Sequence, residues 1–92
     1  MYGNNFVYIQ KLSYNKVIAN KIIIKLKNDT GEDVTVYNAG SGIKYKLLSN
    51  TITIIKMEID EKLFYYEGKK KGRLLLTASK DIDGKVQLYS KL

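Results

Sequence analysis

The sequence predicts a small antiparallel β-sandwich or barrel of seven to eight short strands, and three observations carry that reading. Apolar and polar residues alternate at period two through most of the chain. Turn residues (Gly, Asn, Asp and Ser) recur about every 8 to 12 residues, the spacing of compact all-β domains. There is no Pro, and no stretch sustains the 3.6-residue period of an amphipathic helix.

Residues 1–20 have no clear period. Phe6 and Tyr8, with Val7 and Ile9, make a short strand, and the segment reads either as an arm or as the first strand of the domain. Residues 21–92 form a single β domain. Its most legible stretch is KIIIKLKNDTGEDVTVY, from Lys21 to Tyr37. Ile22, Ile24 and Leu26 point one way and Lys21, Lys25 and Lys27 the other, with Ile23 interrupting the polar face. Asn28, Asp29, Thr30 and Gly31 supply turn chemistry before Val34 and Val36 resume the inward set, so a hairpin is the expected outcome.

A Gly-rich loop at residues 38–42 leads to Ile43, Tyr45 and Leu47, again alternating inward. Ser49 and Asn50 turn the chain. In the next strand Ile52 and Ile54 share one face while Ile55, Met57 and Ile59 share the other, which predicts a bulge near Ile54 and Ile55 or a strand crossing between sheets. Leu63, Phe64, Tyr65 and Tyr66 put large apolar groups on both faces, the mark of a central or interface strand. A turn over residues 67–72 returns the chain into Leu74, Leu75 and Leu76, expected to be well buried. A second hairpin loop at residues 80–84 then leads to Val86 and Leu88, expected inward.

Ninety-two residues make one core, since chains of this size bury only about 60 to 65% of their unfolded surface. The absence of Cys and His removes disulfides, thiolate sites, the usual zinc ligand and the usual general base. Sixteen Lys plus Arg against nine Asp plus Glu give a formal charge of +7, which attracts nucleic acid or acidic protein surfaces. Arg73 is the sole arginine, whereas base reading and phosphate clamping favour the guanidinium fork. The N-terminus lacks a charged n-region, and residues 6–9 are too short for a signal-peptide core or a membrane span, so the expected setting is cytoplasmic or a particle assembled there, with no membrane.

Several constellations carry weak chemistry. Gly40 and Gly42 lack the third glycine and the helix of a dinucleotide fingerprint. Aligning Asp81, Asp83 and Gly84 with a calcium loop puts Ser79 and Ser90 at its first and twelfth positions, where ligands are needed; a hairpin loop explains the same residues. Seven of the carboxylates, Asp29, Glu32, Asp33, Asp60, Glu61, Asp81 and Asp83, fall in turns or at strand ends, where water solvates them alike, so no acid and base are set apart. No cofactor, metal or catalytic residue is therefore expected. Lys69, Lys70, Lys71 and Arg73 form the densest positive charge, at a turn where they either remain solvated or contact phosphate or a partner. Tyr37, Tyr45, Tyr65, Tyr66 and Tyr89 fall on strands, where tyrosine serves a core, an interface or a base-stacking platform. Phe6, Tyr8, Phe64 and Tyr66 are the candidate interface residues.

The stretches NKIIIKLKNDTGEDVTVYNAG and RLLLTASKDIDGKVQLYSKL resemble, in layout and composition over residues 20–92, small all-β auxiliary capsid proteins of crAss-like tailed bacteriophages. The resemblance implies a non-enzymatic virion component that sits on a capsid lattice and reinforces contacts between capsomers. Its partners would then be the major capsid protein or other virion proteins, with self-association a further option. Two other functions fit the residues: a basic OB-like or SH3-like nucleic-acid-binding barrel, and a small inhibitor of a bacterial enzyme.

Overall fold

A computed structural model describes residues 20–92, so the expectations placed on residues 1–19, including Phe6 and Tyr8, lie outside the described residues. The fold is an all-β, sandwich-like pair of sheets. Seven strands are present among the described residues: β1 (Lys21–Lys27), β2 (Val34–Asn38), β3 (Ile43–Leu47), β4 (Ile52–Glu58), β5 (Lys62–Glu67), β6 (Lys70–Thr77) and β7 (Val86–Leu88). One sheet has the order β4-β1-β7 and the other β3-β2-β5-β6. Every pairing is antiparallel except that of β1 with β7, which is parallel.

The alternation in β1 does what the sequence implies: Ile22, Ile24 and Leu26 are buried and the lysines face outward. Across the interior they share one core with Val36, Leu47, Ile55, Met57, Leu63, Leu75, Ala78 and Tyr89. Each large apolar side chain so removed from water contributes about 1.5 to 3 kcal/mol. As expected, β5 is an interior strand, lying between β2 and β6.

The hairpin expected between β1 and β2 does not form; the two strands belong to opposite sheets. Asn28 is the reason. It is fully buried, and its side-chain amide donates to the carbonyls of Glu32 (2.7 Å) and Leu47 (2.9 Å). Its Oδ1 accepts from the Thr30 N–H (3.1 Å) and hydroxyl (2.6 Å). These bonds fix an arch that carries the chain across the core, and β1 spends its edges on β4 and β7 instead.

The second expected hairpin, β6 to β7, is likewise a crossing. A 3₁₀ turn at Lys80–Ile82 leads to Asp83, whose Oδ1 accepts from the Ile23 N–H (2.9 Å), while the Gly84 N–H donates to the Ile23 carbonyl (2.7 Å). The loop so extends the pairing of β1 before β7 begins. Val86, expected inward, is consequently half exposed.

No bulge interrupts β4, whose register with β1 is continuous from Lys21↔Glu58 to Lys27↔Ile52. The pleat therefore buries Ile55 and Met57 and leaves Ile52 and Ile54 in solvent. The register shifts occur between β5 and β6. Leu63 pairs with Leu76 but Phe64 pairs with Leu74, so the unpaired Leu75 and its neighbour Leu76 both reach the core. At Gly72 an added Cβ would lie 3.0 Å from the Tyr65 ring and 3.1 Å from its carbonyl oxygen. Leu74, expected buried, is exposed because its pairing with Phe64 sets it on the outer face of the sheet. Ile43 is exposed at the start of β3, also an edge.

Candidate interaction surfaces

The outer face of the four-stranded sheet gathers aromatic rings and lysines. Pairing places Lys44, Tyr37, Phe64 and Leu74 in one row across all four strands. Tyr66, two residues beyond Phe64, sets its ring 5.6 Å from that of Tyr37, centroid to centroid, at a 38° tilt. Lys44 Nζ lies 4.5 Å from the Tyr66 ring centre and Lys71 Nζ 4.3 Å from that of Phe64. Both are cation–π contacts, in which the electron-rich ring face attracts the ammonium. Phe64 and Tyr66, singled out from the sequence, thus stand together, and Tyr37, Lys44 and Leu74 join them. Tyr45, Tyr65 and Tyr89 do not: they face the core. Burial raises the pKa of Tyr45, with Glu61 adding to it. The Tyr65 hydroxyl donates to Glu67, and that bond holds its pKa above the ordinary tyrosine value.

The basic group at residues 69–73 is divided by the fold. Expected as one long turn, it is a two-residue turn of Gly68 and Lys69, both at positive φ (59° and 65°), with β6 already begun at Lys70. That is the primed geometry whose twist suits a hairpin. Lys70 pairs with Glu67, and Lys71 pairs with Tyr66 on the aromatic face. Arg73 donates to the main-chain oxygen of Leu92 (3.0 Å).

The outer face of the three-stranded sheet was not read as a surface in the sequence. It carries Ile23, Ile52, Ile54 and Val86, exposed by 40, 53, 59 and 50%. Register sets Ile54, Lys25 and Val86 side by side, Ile52 beside Lys27, Ile23 beside Lys56, and Lys21 beside Glu58. The signal was present as Ile23 interrupting the lysines of β1 and as the Ile52 and Ile54 pair set against Ile55 and Met57. Burying both β4 faces by a bulge concealed it.

Asp29, Asp81 and Glu61 hold neighbouring backbone and side chains in place. Asp29 accepts from the Ser90 N–H (2.9 Å) and hydroxyl, which pushes its pKa below the usual range. The Ser79 hydroxyl does the same for Asp81. A carboxylate held in its anionic form is a weaker base, the reverse of what a general base at neutral pH needs. Glu61 accepts from the amide of the buried Asn38 and from the Glu58 N–H, both at 3.0 Å. A shallow groove of about 560 Å³ runs along Glu32, Asp33, Tyr65 and Glu67. Among the described residues no cluster of three or more carboxylates is arranged to hold a metal ion, and no helix is long and apolar enough to cross a membrane.

The fold thus displays two opposite sheet faces, each mixing lysine with apolar groups. Compared with known proteins, the chain matches no family model, no curated sequence and no solved structure.

Proposed function

We propose that the protein is a non-enzymatic structural component that works by surface contact, an auxiliary or decorating capsid protein of a tailed phage that reinforces its lattice. One observation carries this reading: among the described residues both outer faces of the sandwich mix apolar groups with lysines, the half-buried Tyr37, Phe64 and Tyr66 with the exposed Leu74 on one side and the exposed Ile23, Ile52, Ile54 and Val86 on the other. A domain that met one partner would need one such face. Two on opposite sides suit an element wedged between neighbours, which is what a lattice cement is. The layout resemblance over residues 20–92 supports the finer assignment.

The test is sedimentation of particle preparations containing the tagged chain. The reading expects it to travel with particles, and expects Tyr66→Glu on one face and Ile54→Glu on the other each to release it. A chain that sediments as free protein in every preparation overturns the reading.

A second function, single-stranded nucleic-acid binding, is favoured by the row of Tyr37, Phe64 and Tyr66 flanked by Lys44 and Lys71. Against it, the two lysines lie over the Tyr66 and Phe64 rings and must be displaced before a base can stack there. It requires oligonucleotide binding with a steep salt dependence that Lys44→Ala and Lys71→Ala together reduce.

A further inference from the structure

We propose that the outer face of the three-stranded sheet docks an acidic protein surface bearing its own apolar stripe, and that this partner is not a second copy of the chain. The inference rests on the two-faced reading above and names the chemistry of one of the two partners.

The register makes the face a checkerboard. Lys21, Lys25, Lys27 and Lys56 alternate with Ile23, Ile52, Ile54 and Val86 in successive rows. Glu58 is the one acidic residue of β1, β4 and β7. Four exposed β-branched side chains lose water only against an apolar surface, and the lysines between them keep their charge paired only if that surface supplies carboxylates at the same spacing. Lysine stems lie along such a surface while the ammonium reaches an acid.

Rival occupants fit less well. A second copy applied face to face would bring four lysines against four, with only Glu58 and the edge carboxylate of Asp83 to compensate on each side, and like charges across an interface are strongly unfavourable. A lipid surface is met by aromatic belts and by amphipathic helices rich in Trp, Phe and Leu. The exposed apolar groups on this face are Ile and Val, and its geometry is that of a rigid sheet. Nucleic acid calls for stacking rings or arginine, and β1, β4 and β7 have neither.

The experiment uses the full chain with labelled isoleucine methyl groups, titrated with a synthetic amphipathic peptide of leucine and glutamate, a matched peptide of leucine and lysine, and phosphatidylserine vesicles. The glutamate peptide is expected to shift the methyl signals of Ile23, Ile52 and Ile54. Ile54→Glu with Val86→Glu should weaken it about tenfold, equal to about 1.4 kcal/mol, while Tyr66→Ala on the opposite sheet leaves it unchanged. Equal binding of the lysine peptide, shifts confined to other residues, binding of vesicles alone, or a doubling of mass with the same methyl shifts in the unmixed chain would each overturn the proposal. So would peptide binding that appears only after residues 1–19 are removed, since those residues would then be the occupant. Loss of particle association in Ile54→Glu without peptide binding would refute the acidic partner alone, whereas normal association would refute the two-faced reading itself.

Discussion

At the scale of single residues, one buried asparagine does more to set the fold than its size implies. Asn28 satisfies two carbonyls and receives two bonds from Thr30, so Asn28→Ala strips a buried junction of four hydrogen bonds at once. With each net bond worth about 1 kcal/mol and orphaned buried groups costing 1 to 3, a loss of roughly 3 kcal/mol is expected in urea denaturation. Asp29, next in sequence, gives a pH test. Its folded-state pKa lies below the unfolded value through the Ser90 bonds. Its contribution is therefore present in full above the unfolded pKa of about 4 and is lost as pH falls through the folded one. Urea midpoints of the native chain and of Asp29→Asn should differ at neutral pH and converge as the pH falls below the unfolded-state value. Lys69 gives the opposite case, a side chain in the left-handed region at φ 65°. Relieving about 1 kcal/mol or more of backbone cost, less the chain entropy that glycine adds to the unfolded state, should make Lys69→Gly more stable by about 0.5 kcal/mol.

At the scale of elements, β4 separates the two kinds of apolar residue. Ile54 and Ile55 are adjacent and chemically identical, yet one is 59% exposed and the other fully buried. Ile55→Ala should cost roughly 3 kcal/mol by transfer and cavity terms, and Ile54→Thr less than about 0.5 in the same denaturation series. The strands themselves were legible from the sequence, because period two in KIIIKLK or IKYKL leaves little alternative. Their partners were not. Asn28 and Asp83 look like hairpin turn residues, and only the buried bonds of Asn28 and the capture of Ile23 by Asp83 and Gly84 turn both loops into crossings between sheets. The same limit hid the surfaces. Phe64 and Tyr66 could be named because two-sided apolarity is visible along one strand, but Lys44, Tyr37 and Leu74 join them through pairing with other strands. The bulge expected at Ile54 and Ile55 would bury Ile52 and Ile54 on the premise that isoleucine is buried, a premise that fails where a regular pleat turns them to solvent.

At the scale of the molecule, the crossings make β1 depend on the far end of the chain. Its neighbours are β4, some 30 residues on, and β7, 61 residues on from Lys25 to Val86, a separation that slows folding because loop closure must precede the contact. Tyr89 follows β7 directly into the core, Ser90 ties to Asp29, and Leu92 accepts from Arg73. A domain of this length has about 5 to 10 kcal/mol of stability in all. Loss of a buried aromatic alone takes about 3 to 5 of that, before counting the Val86–Leu88 ladder and the edge of β1 it would leave open. A chain ending at Gly84 is therefore expected to be unfolded at 25 °C, without a cooperative transition in circular dichroism. Removing residues 1–19 should be different in kind, since the buried residues from Ile22 to Tyr89 already form one connected cluster among themselves; that variant is expected to keep its unfolding midpoint. If the Gly84 truncation unfolds cooperatively near the native midpoint, β7 is an ornament on the sheet and the parallel pair does not close the fold.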